Sequence, residues 1–198
     1  HGFPEYWGTW QAQIEYFRAQ YHVIVPDLMG YNLSDKPREL AAYTVPNLIA
    51  LYAKFVEKVS QDKPVHLVAH DWGGAIAWPL AAFHPQLFNK LIILNAAHNT
   101  HFSERQKAEY MRAWKQPDAV NGMLQYYRAM PQLPPAASSE TKDDVEPDQN
   151  ALATTDLKIP NIRIELPTLI LWGEQDEAFV TGVLDGIETY VPDCQIKR

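Results

Sequence analysis

Four short apolar runs, separated by segments of helical pattern, constrain the fold of this chain most strongly. The runs are residues 21–26 (YHVIVP), 65–69 (VHLVA), 90–95 (KLIILN) and 168–172 (TLILW). Each is rich in Leu, Ile or Val and shows no apolar–polar alternation, which is typical of strands covered on both faces. Strands that alternate with helices favour an α/β fold with a mostly parallel, doubly wound sheet and right-handed crossovers.

The helical patterns divide the chain into three parts. Around the strands, the predicted helices cover residues 10–19, 45–59, 74–83 and 179–190. Between residues 98 and 165 the alternation of strands and helices stops. This stretch contains two helical patterns, 104–114 and 120–130, and a Pro/Ala/Ser-rich acidic segment. A long interruption of this kind indicates an inserted lobe. We therefore predict a core from residues 1–98 and 166–198, with an insertion at residues 99–165.

Composition narrows the classes of function. The 198 residues are 46% hydrophobic and 21% charged, which is ordinary for a globular protein. The net charge of −7 disfavours nucleic acid and anionic membranes as partners, and no apolar stretch approaches a membrane span. The single cysteine, Cys194, fits a reducing, cytoplasmic location. We expect no cofactor and no metal, because His98 and His101 have no third ligand nearby in the sequence.

The second apolar run leads directly into the motif that carries the chemistry. Residues 70–74 read HDWGG and are followed by a helical pattern, so a strand, a sharp turn and a helix meet at Asp71. Small residues around the turn are typical of a nucleophile elbow, and a carboxylate there suits displacement at an sp3 carbon through an ester intermediate. An isolated motif of this kind fits equally an aspartate that caps the helix.

Five ordered motifs carry a resemblance to a known family. The chain resembles the epoxide hydrolase and haloalkane dehalogenase branch of the α/β-hydrolases, and most closely the epoxide hydrolases. The matching segments are HGFPE (1–5), DLMGYNLSDKP (27–37), VAHDWGG (68–74), NGMLQYYRAM (121–130) and LWGEQD (171–176). The resemblance implies the α/β-hydrolase fold, with residues 99–165 as a shortened helical cap.

The resemblance also implies a two-step mechanism and a role for individual residues. Asp71 attacks the substrate carbon, and the backbone N–H groups of Phe3 and Trp72 form the oxyanion hole for hydrolysis of the ester. Tyr127 donates to the epoxide oxygen, and Asp176 orients a histidine that activates water. Among the epoxide hydrolases this converts an epoxide to a vicinal diol.

Several of these residues admit a second interpretation. Tyr126 is the alternative inward-facing tyrosine, and we include Tyr126, Pro4 and Trp72 among the expected substrate-binding residues. The Trp72 indole N–H would instead bind a leaving halide if the chain were a dehalogenase. His70 adjoins the nucleophile, but neighbouring residues on an elbow point apart, so we expect it to be a structural hydrogen-bonding residue.

The chain departs from the family pattern in three places. No histidine follows Asp176, although the family places its triad histidine there. The strand that leads into residues 1–5, the strands before it and the last strand and helix are not evident, and the cap is short. These departures predict a fragment of a longer protein that forms the ester and then stalls.

We carry three functions forward. Epoxide hydrolase leads, with a small apolar epoxide and water as the reactants. Haloalkane dehalogenase, acting on an alkyl halide, follows, because Phe3 cannot supply the second side-chain donor to halide. A non-catalytic relative that binds a small ligand is the third.

Overall fold

A single parallel sheet lies at the centre of the protein. The computed structural model describes residues 1–61, 63–94, 104–130, 163–176 and 181–198. Its strands run in the spatial order β1-β2-β3-β4, and each pairs in parallel with the next. They are β1 (Val65–His70), β2 (Phe88–Leu94), β3 (Thr168–Leu171) and β4 (Cys194–Lys197). The prediction of a parallel α/β sheet is confirmed, and three of the four apolar runs form β1, β2 and β3.

The first apolar run, residues 21–26, does not join the sheet. Residues 21–26 are assigned no strand, and Tyr21 and Ile24 are 52% and 41% exposed. The prediction of a strand there is wrong. A strand needs a neighbouring strand to take its backbone hydrogen bonds. In this structure β1 is the edge strand nearest to residues 21–26, and the Tyr21 ring lies 6.0 Å from the His66 ring of β1. An apolar run fixes a preference for burial, but pairing also requires a partner strand alongside.

The C-terminal region corrects two further predictions. Residues Cys194–Lys197 form β4, which pairs with β3 from Thr168↔Cys194 to Leu171↔Lys197, so the expectation that the last strand is missing is wrong. Its four residues are mostly exposed and contain only one β-branched residue, so the sequence carries little strand signal. The predicted helix at 179–190 is instead two 3-10 turns, Thr181–Leu184 and Ile187–Thr189, separated by Gly186 at φ 77°. Left-handed backbone ends a helix.

The remaining helical predictions are confirmed to within a few residues. The helices are α1 (Gln11–Phe17), α2 (Val45–Ser60), α3 (Trp72–Phe83), α4 (Glu104–Trp114) and α5 (Ala119–Ala129). Three 3-10 turns, Trp7–Trp10, Leu40–Tyr43 and Pro85–Leu87, complete the described elements of this part of the chain. Over the residues that the structure describes, none of these helices combines the length and apolar character needed to cross a membrane. The predicted loose segment at 130–150 lies almost entirely outside the described residues.

The core lies between α2, α3 and one face of the sheet. Leu91, Ile93 and Ile170 point to this face and are at most 5% exposed. Helix α3 packs on β1 and β2, and it comes close because Gly74 faces Ile93. Burial of each of these side chains contributes about 1.5–3 kcal/mol to the stability of the fold. The packing also fixes the start of α3 at the carboxyl edge of the sheet.

Helix α5 docks on the loop that follows residue 26 through two glycines. A Cβ on Gly122 would lie 2.5 Å from the Gly30 carbonyl oxygen, so the two backbones touch without side chains between them. Tyr126, which is 1% exposed, adds a hydrogen bond from its hydroxyl to the Met29 carbonyl oxygen at 2.7 Å. These contacts set the depth of α5, and with it the position of Tyr127.

We expect Gly122→Ala to destabilise the protein by about 1–3 kcal/mol, because the added methyl overlaps backbone that cannot rotate away. Alanine is otherwise favoured over glycine in a helix by about 1 kcal/mol. A loss of stability would therefore come from the steric overlap and not from helix propensity. The measurement is the free energy of unfolding in urea. Gly182→Ala is the control, since its Cβ would meet nothing closer than 3.8 Å. Equal or greater stability of Gly122→Ala would contradict the packing described for α5.

Candidate active site

Asp71 stands on a strained turn between β1 and α3. Its backbone has φ 51° and ψ −123°, a conformation that costs a non-glycine residue about 1–3 kcal/mol. Its carboxylate makes no capping hydrogen bond to α3. Instead, Oδ1 accepts a hydrogen bond from the Phe3 backbone N–H at 2.7 Å. The capping alternative for Asp71 is therefore not what the structure shows, and the geometry is that of an elbow.

The neighbouring loop, residues 1–5, fits against this elbow only because it carries no side chain at residue 2. A Cβ on Gly2 would lie 1.8 Å from Asp71 Oδ1. At the other side of the elbow, the Gly73 N–H donates to the His1 carbonyl oxygen at 3.0 Å, and a Cβ on Gly73 would meet that oxygen at 2.7 Å. Both glycines are needed for close approach, and the small-residue pattern around the turn predicts this for Gly73.

Internal bonds give this loop a defined shape. The Glu5 N–H donates to the Gly2 carbonyl oxygen at 2.8 Å, which closes a turn that presents the Phe3 N–H to Asp71. The His1 ring accepts from the Leu28 N–H through Nε2 at 2.9 Å and is buried. The loop is thus tied to the segment after residue 26 as well as to the elbow.

The Trp72 N–H, the second predicted oxyanion donor, belongs to the first residue of α3. The first N–H groups of a helix have no partner within the helix, and they carry its partial positive charge. Together with the Phe3 N–H, it gives the elbow two backbone donors close to Asp71. Such an arrangement is able to stabilise negative charge on a carbonyl oxygen.

The two adjacent tyrosines of α5 have different surroundings. The Tyr127 ring lies 5.1 Å from the Trp72 ring and 5.4 Å from the Phe3 ring, and it is 41% exposed. Burial raises the pKa of Tyr127, the Asp71 charge adds to that, and a hydrogen bond with the Trp72 side chain opposes it. The phenol is therefore protonated at neutral pH and able to donate. Tyr126 is a core residue whose hydroxyl is bound to Met29, a position unlike that expected for substrate contact.

Asp176 emerges at the same edge of the sheet as Asp71. Asp71 follows β1 and Asp176 follows β3, with β2 between them, and all three strands are parallel. Two strand spacings place the two segments about 10 Å apart at that edge. Asp176 is partly buried, in a turn where its N–H donates to the Gly173 carbonyl oxygen at 3.2 Å.

Two functional contacts lie beyond the reach of the sequence reasoning. The His70 ring donates a hydrogen bond from Nδ1 to Glu5 Oε2 at 3.0 Å, one residue before Asp71 in the chain. Trp114, at the end of α4, donates its indole N–H to the Pro4 carbonyl oxygen at 2.7 Å. Pairs separated by 65 and 110 residues leave no local spacing signal. The expected hydrogen-bonding role of His70 is confirmed, but its partner was not foreseen.

The pKa of Glu5 is lowered in spite of its burial. Burial alone would raise it, but the hydrogen bond and charge of His70 and the hydrogen bonds from Thr9 Oγ1 and the Gly2 N–H together outweigh that effect. Glu5 is therefore ionised at neutral pH. Within the described residues, no three His, Cys, Asp or Glu side chains are grouped so as to hold a metal ion, and His98 and His101 lie outside those residues.

Comparison with known proteins agrees with this geometry. A family model described as alpha/beta hydrolase fold matches residues 1–126. Epoxide hydrolase 4 of Mus musculus is 39% identical over 116 residues, which cover 57% of this chain and 32% of that protein. Epoxide hydrolase 1 of Caenorhabditis elegans is 28% identical, covering 96% of this chain and 55% of that protein. The chain thus spans about a third to a half of these two curated relatives.

A solved structure resembles the whole chain. The crystal structure of the Bacillus megaterium epoxide hydrolase in complex with an inhibitor has a TM-score of 0.81 and 26% identity, and covers 100% of this chain and 82% of that chain. The resemblance to the epoxide hydrolase branch and the α/β-hydrolase fold are confirmed.

The lowered pKa of Glu5 predicts a pH dependence of stability. A depressed folded pKa contributes stability above the usual value of 4.5, and that stability is lost as pH falls through the folded pKa. At pH 7 we expect Glu5→Gln to be less stable than the parent by on the order of 1–3 kcal/mol. The difference should shrink below about pH 4.5, which urea unfolding at several pH values measures.

Glu165→Gln provides the matched control, because the Glu165 side chain is 68% exposed and pairs with Arg163 at the surface. Its stability should follow the parent at every pH. A Glu5→Gln deficit that stays constant down to pH 3 would show that the charge of Glu5 is not what stabilises the loop.

Proposed function

Because the chain belongs to the α/β hydrolase fold family, we propose that it is an epoxide hydrolase in which Asp71 is the nucleophile. The main support for the proposal is the Asp71 carboxylate on its elbow, which accepts a hydrogen bond from the Phe3 N–H at 2.7 Å and lies close to a protonated Tyr127. An aspartate at this position favours displacement at an sp3 carbon over attack on an ester. The names of the relatives favour an epoxide as that substrate.

In the first step, Asp71 forms an ester with one epoxide carbon. Oδ1 is engaged by the Phe3 N–H, which leaves Oδ2 to attack. The bond from that carbon to the ring oxygen breaks, and the electron pair moves to the oxygen. Tyr127 donates its proton or a hydrogen bond to this oxygen. Its ring packs edge-on against those of Trp72, the residue after Asp71, and Phe3, whose N–H binds Asp71. Its neutral state at pH 7 suits that role.

In the second step, water attacks the ester carbonyl and the diol leaves. The carbonyl oxygen is the former Oδ1, so it already faces the Phe3 N–H, and the Trp72 N–H is the second donor. We assign Asp176 as the acid that orients the base. A polypeptide made of these 198 residues alone contains no histidine after Asp176, so we expect that polypeptide to accumulate the ester.

The core and cap assignment supports the same arrangement. We propose that residues 1–98 and 166–198 form the hydrolase core, and that residues 99–165 form the cap. Helices α4 and α5 come between β2 and β3 in the chain, whereas β2 and β3 are neighbours in the sheet. Tyr127 thus comes from the cap and Asp71 from the core. The substrates we propose are small apolar epoxides, with Pro4 and Trp72 lining the site.

A haloalkane dehalogenase would use the same nucleophile and is the second candidate. The Trp72 side chain hydrogen-bonds with Tyr127, and the neighbouring Phe3 side chain has no polar donor for a halide. Tyr127 has a clear task in epoxide opening and none in halide departure. These features favour the epoxide, and they also favour an enzyme over a protein that only binds a ligand.

The two tyrosines allow a matched test of the donor. We expect Tyr127→Phe to slow formation of the Asp71 ester from an aryl epoxide by about 10²- to 10⁴-fold, the usual contribution of a general acid. Tyr126→Phe makes the same chemical change one residue away. It should keep the rate and lose about 1 kcal/mol of stability, because its bond to Met29 is structural. Mass spectrometry of the peptide containing Asp71 follows the ester over time.

Asp71→Asn serves as the blank and should take no ester at all. If Tyr126→Phe were the slow variant, the assignment of the donor would be wrong. If both tyrosine variants reacted at the parent rate, neither hydroxyl would assist the opening of the ring.

A further inference from the structure

We propose that Trp114 is a positioning residue of the active site, which fixes residues 1–5 through its indole N–H and so holds the Phe3 N–H on Asp71. The inference rests on the proposed function. It adds to that function a residue outside both residues 1–5, which we call the oxyanion loop, and the elbow at Asp71. It is carried by one short hydrogen bond from α4 to the loop and by the contacts that hold Trp114 in place.

The bond joins the cap to the oxyanion loop. Trp114 Nε1 lies 2.7 Å from the Pro4 carbonyl oxygen, a distance at the short end of the range for N–H donors. The indole is partly buried, so solvent competes poorly for either partner. A hydrogen bond shielded from water is stiffer than one at the surface.

Two further contacts hold α4 against the segment that follows the loop, and a third fixes Trp114 within the helix. The Tyr110 hydroxyl donates to Thr9 Oγ1 at 3.1 Å, and the Tyr110 ring packs edge-on against Trp114 at 5.9 Å. The Tyr6 ring lies 5.3 Å from that of Tyr110. Trp114 is therefore anchored at a fixed height above the loop and cannot follow the loop if it moves.

The acceptor is the peptide group that controls the turn. Pro4 has no N–H, so its carbonyl is its only backbone hydrogen-bonding group. The carbonyl belongs to the Pro4–Glu5 peptide, whose N–H donates to the Gly2 carbonyl oxygen at 2.8 Å. With both ends of this peptide bonded, its plane cannot rotate, and the Phe3 N–H that precedes it keeps its direction towards Asp71. Loss of the indole N–H frees one end.

The experiment uses Trp114→Phe, which keeps an aromatic ring and removes the donor. Loss of one hydrogen bond, worth about 0.5–1.5 kcal/mol, predicts a roughly two- to tenfold slower formation of the Asp71 ester from an aryl epoxide. The dissociation constant of an unreactive aryl amide of the same size should not change, since Trp114 acts on the loop and not on the ligand. The amide proton of Phe3 should move upfield in the NMR spectrum as its bond to Asp71 lengthens.

Trp7→Phe is the matched control. It makes the same chemical change three residues from Pro4, at an indole that is 40% exposed, and the bond from its backbone N–H to Asp27 is kept. The ester rate and the Phe3 resonance should stay at parent values in this variant. A Trp114→Phe protein with an unmoved Phe3 resonance would overturn the proposal and leave the bond as a contact that merely docks α4.

Hydrogen exchange in the unaltered chain decides the matter if Trp114→Phe does not fold. The Trp114 indole N–H and the Phe3 amide should exchange together and much more slowly than the Trp7 indole N–H. Exchange of the Trp114 indole as fast as that of Trp7 would contradict the proposal. If the parent forms no ester, the proposed function fails, and the Phe3 resonance and exchange data alone test the role of Trp114.

Discussion

The hydrogen bond between the Phe3 N–H and the Asp71 carboxylate is the interaction on which the site depends. It joins two segments that lie 68 residues apart, and it engages one of the two oxygens of the Asp71 carboxylate. It exists only because Asp71 adopts a positive φ and because Gly2 leaves the space that a Cβ would fill. The cost of the strained backbone is offset by the surrounding fold, as is usual where strain and function coincide.

The sheet and the helices supply the remaining groups from opposite directions. Parallel strands bring Asp71 and Asp176 to one edge, and the start of α3 adds a backbone donor there. The close approach of Gly30 and Gly122 brings α5 against the loop that contains Gly30, and this places Tyr127 next to Trp72. The proposed nucleophile, Asp71, and the proposed proton donor, Tyr127, thus lie on elements that the fold positions independently.

Burial, hydrogen bonds and nearby charges set the protonation states of Tyr127 and Glu5. Burial keeps the Tyr127 phenol protonated, with the Asp71 charge acting in the same direction. Next to Asp71, the Glu5 carboxylate is ionised and accepts hydrogen bonds from the His70 ring at 3.0 Å, from Thr9 Oγ1 and from the Gly2 N–H. A buried carboxylate without such partners would be costly.

Local patterns predicted most of this fold, and the failures share a physical cause. The elbow, β1 to β3 and α4 were predictable, because strand runs and helical spacing are properties of contiguous residues. Residues 21–26 were not, since a strand requires a neighbour, and β4 was missed because its side chains are mostly exposed. The bonds of Glu5 and Trp114 depend on tertiary approach, which no spacing in the chain records.

The most direct test of the central claim is an intact-protein mass spectrum after incubation with an equimolar mixture of an aryl epoxide and a chloroalkane. If Asp71 is the nucleophile of an epoxide hydrolase, we expect a lasting adduct with the full mass of the epoxide on the peptide that contains Asp71. An alkyl adduct without the epoxide oxygen, or no adduct from a protein shown to be folded, would contradict it.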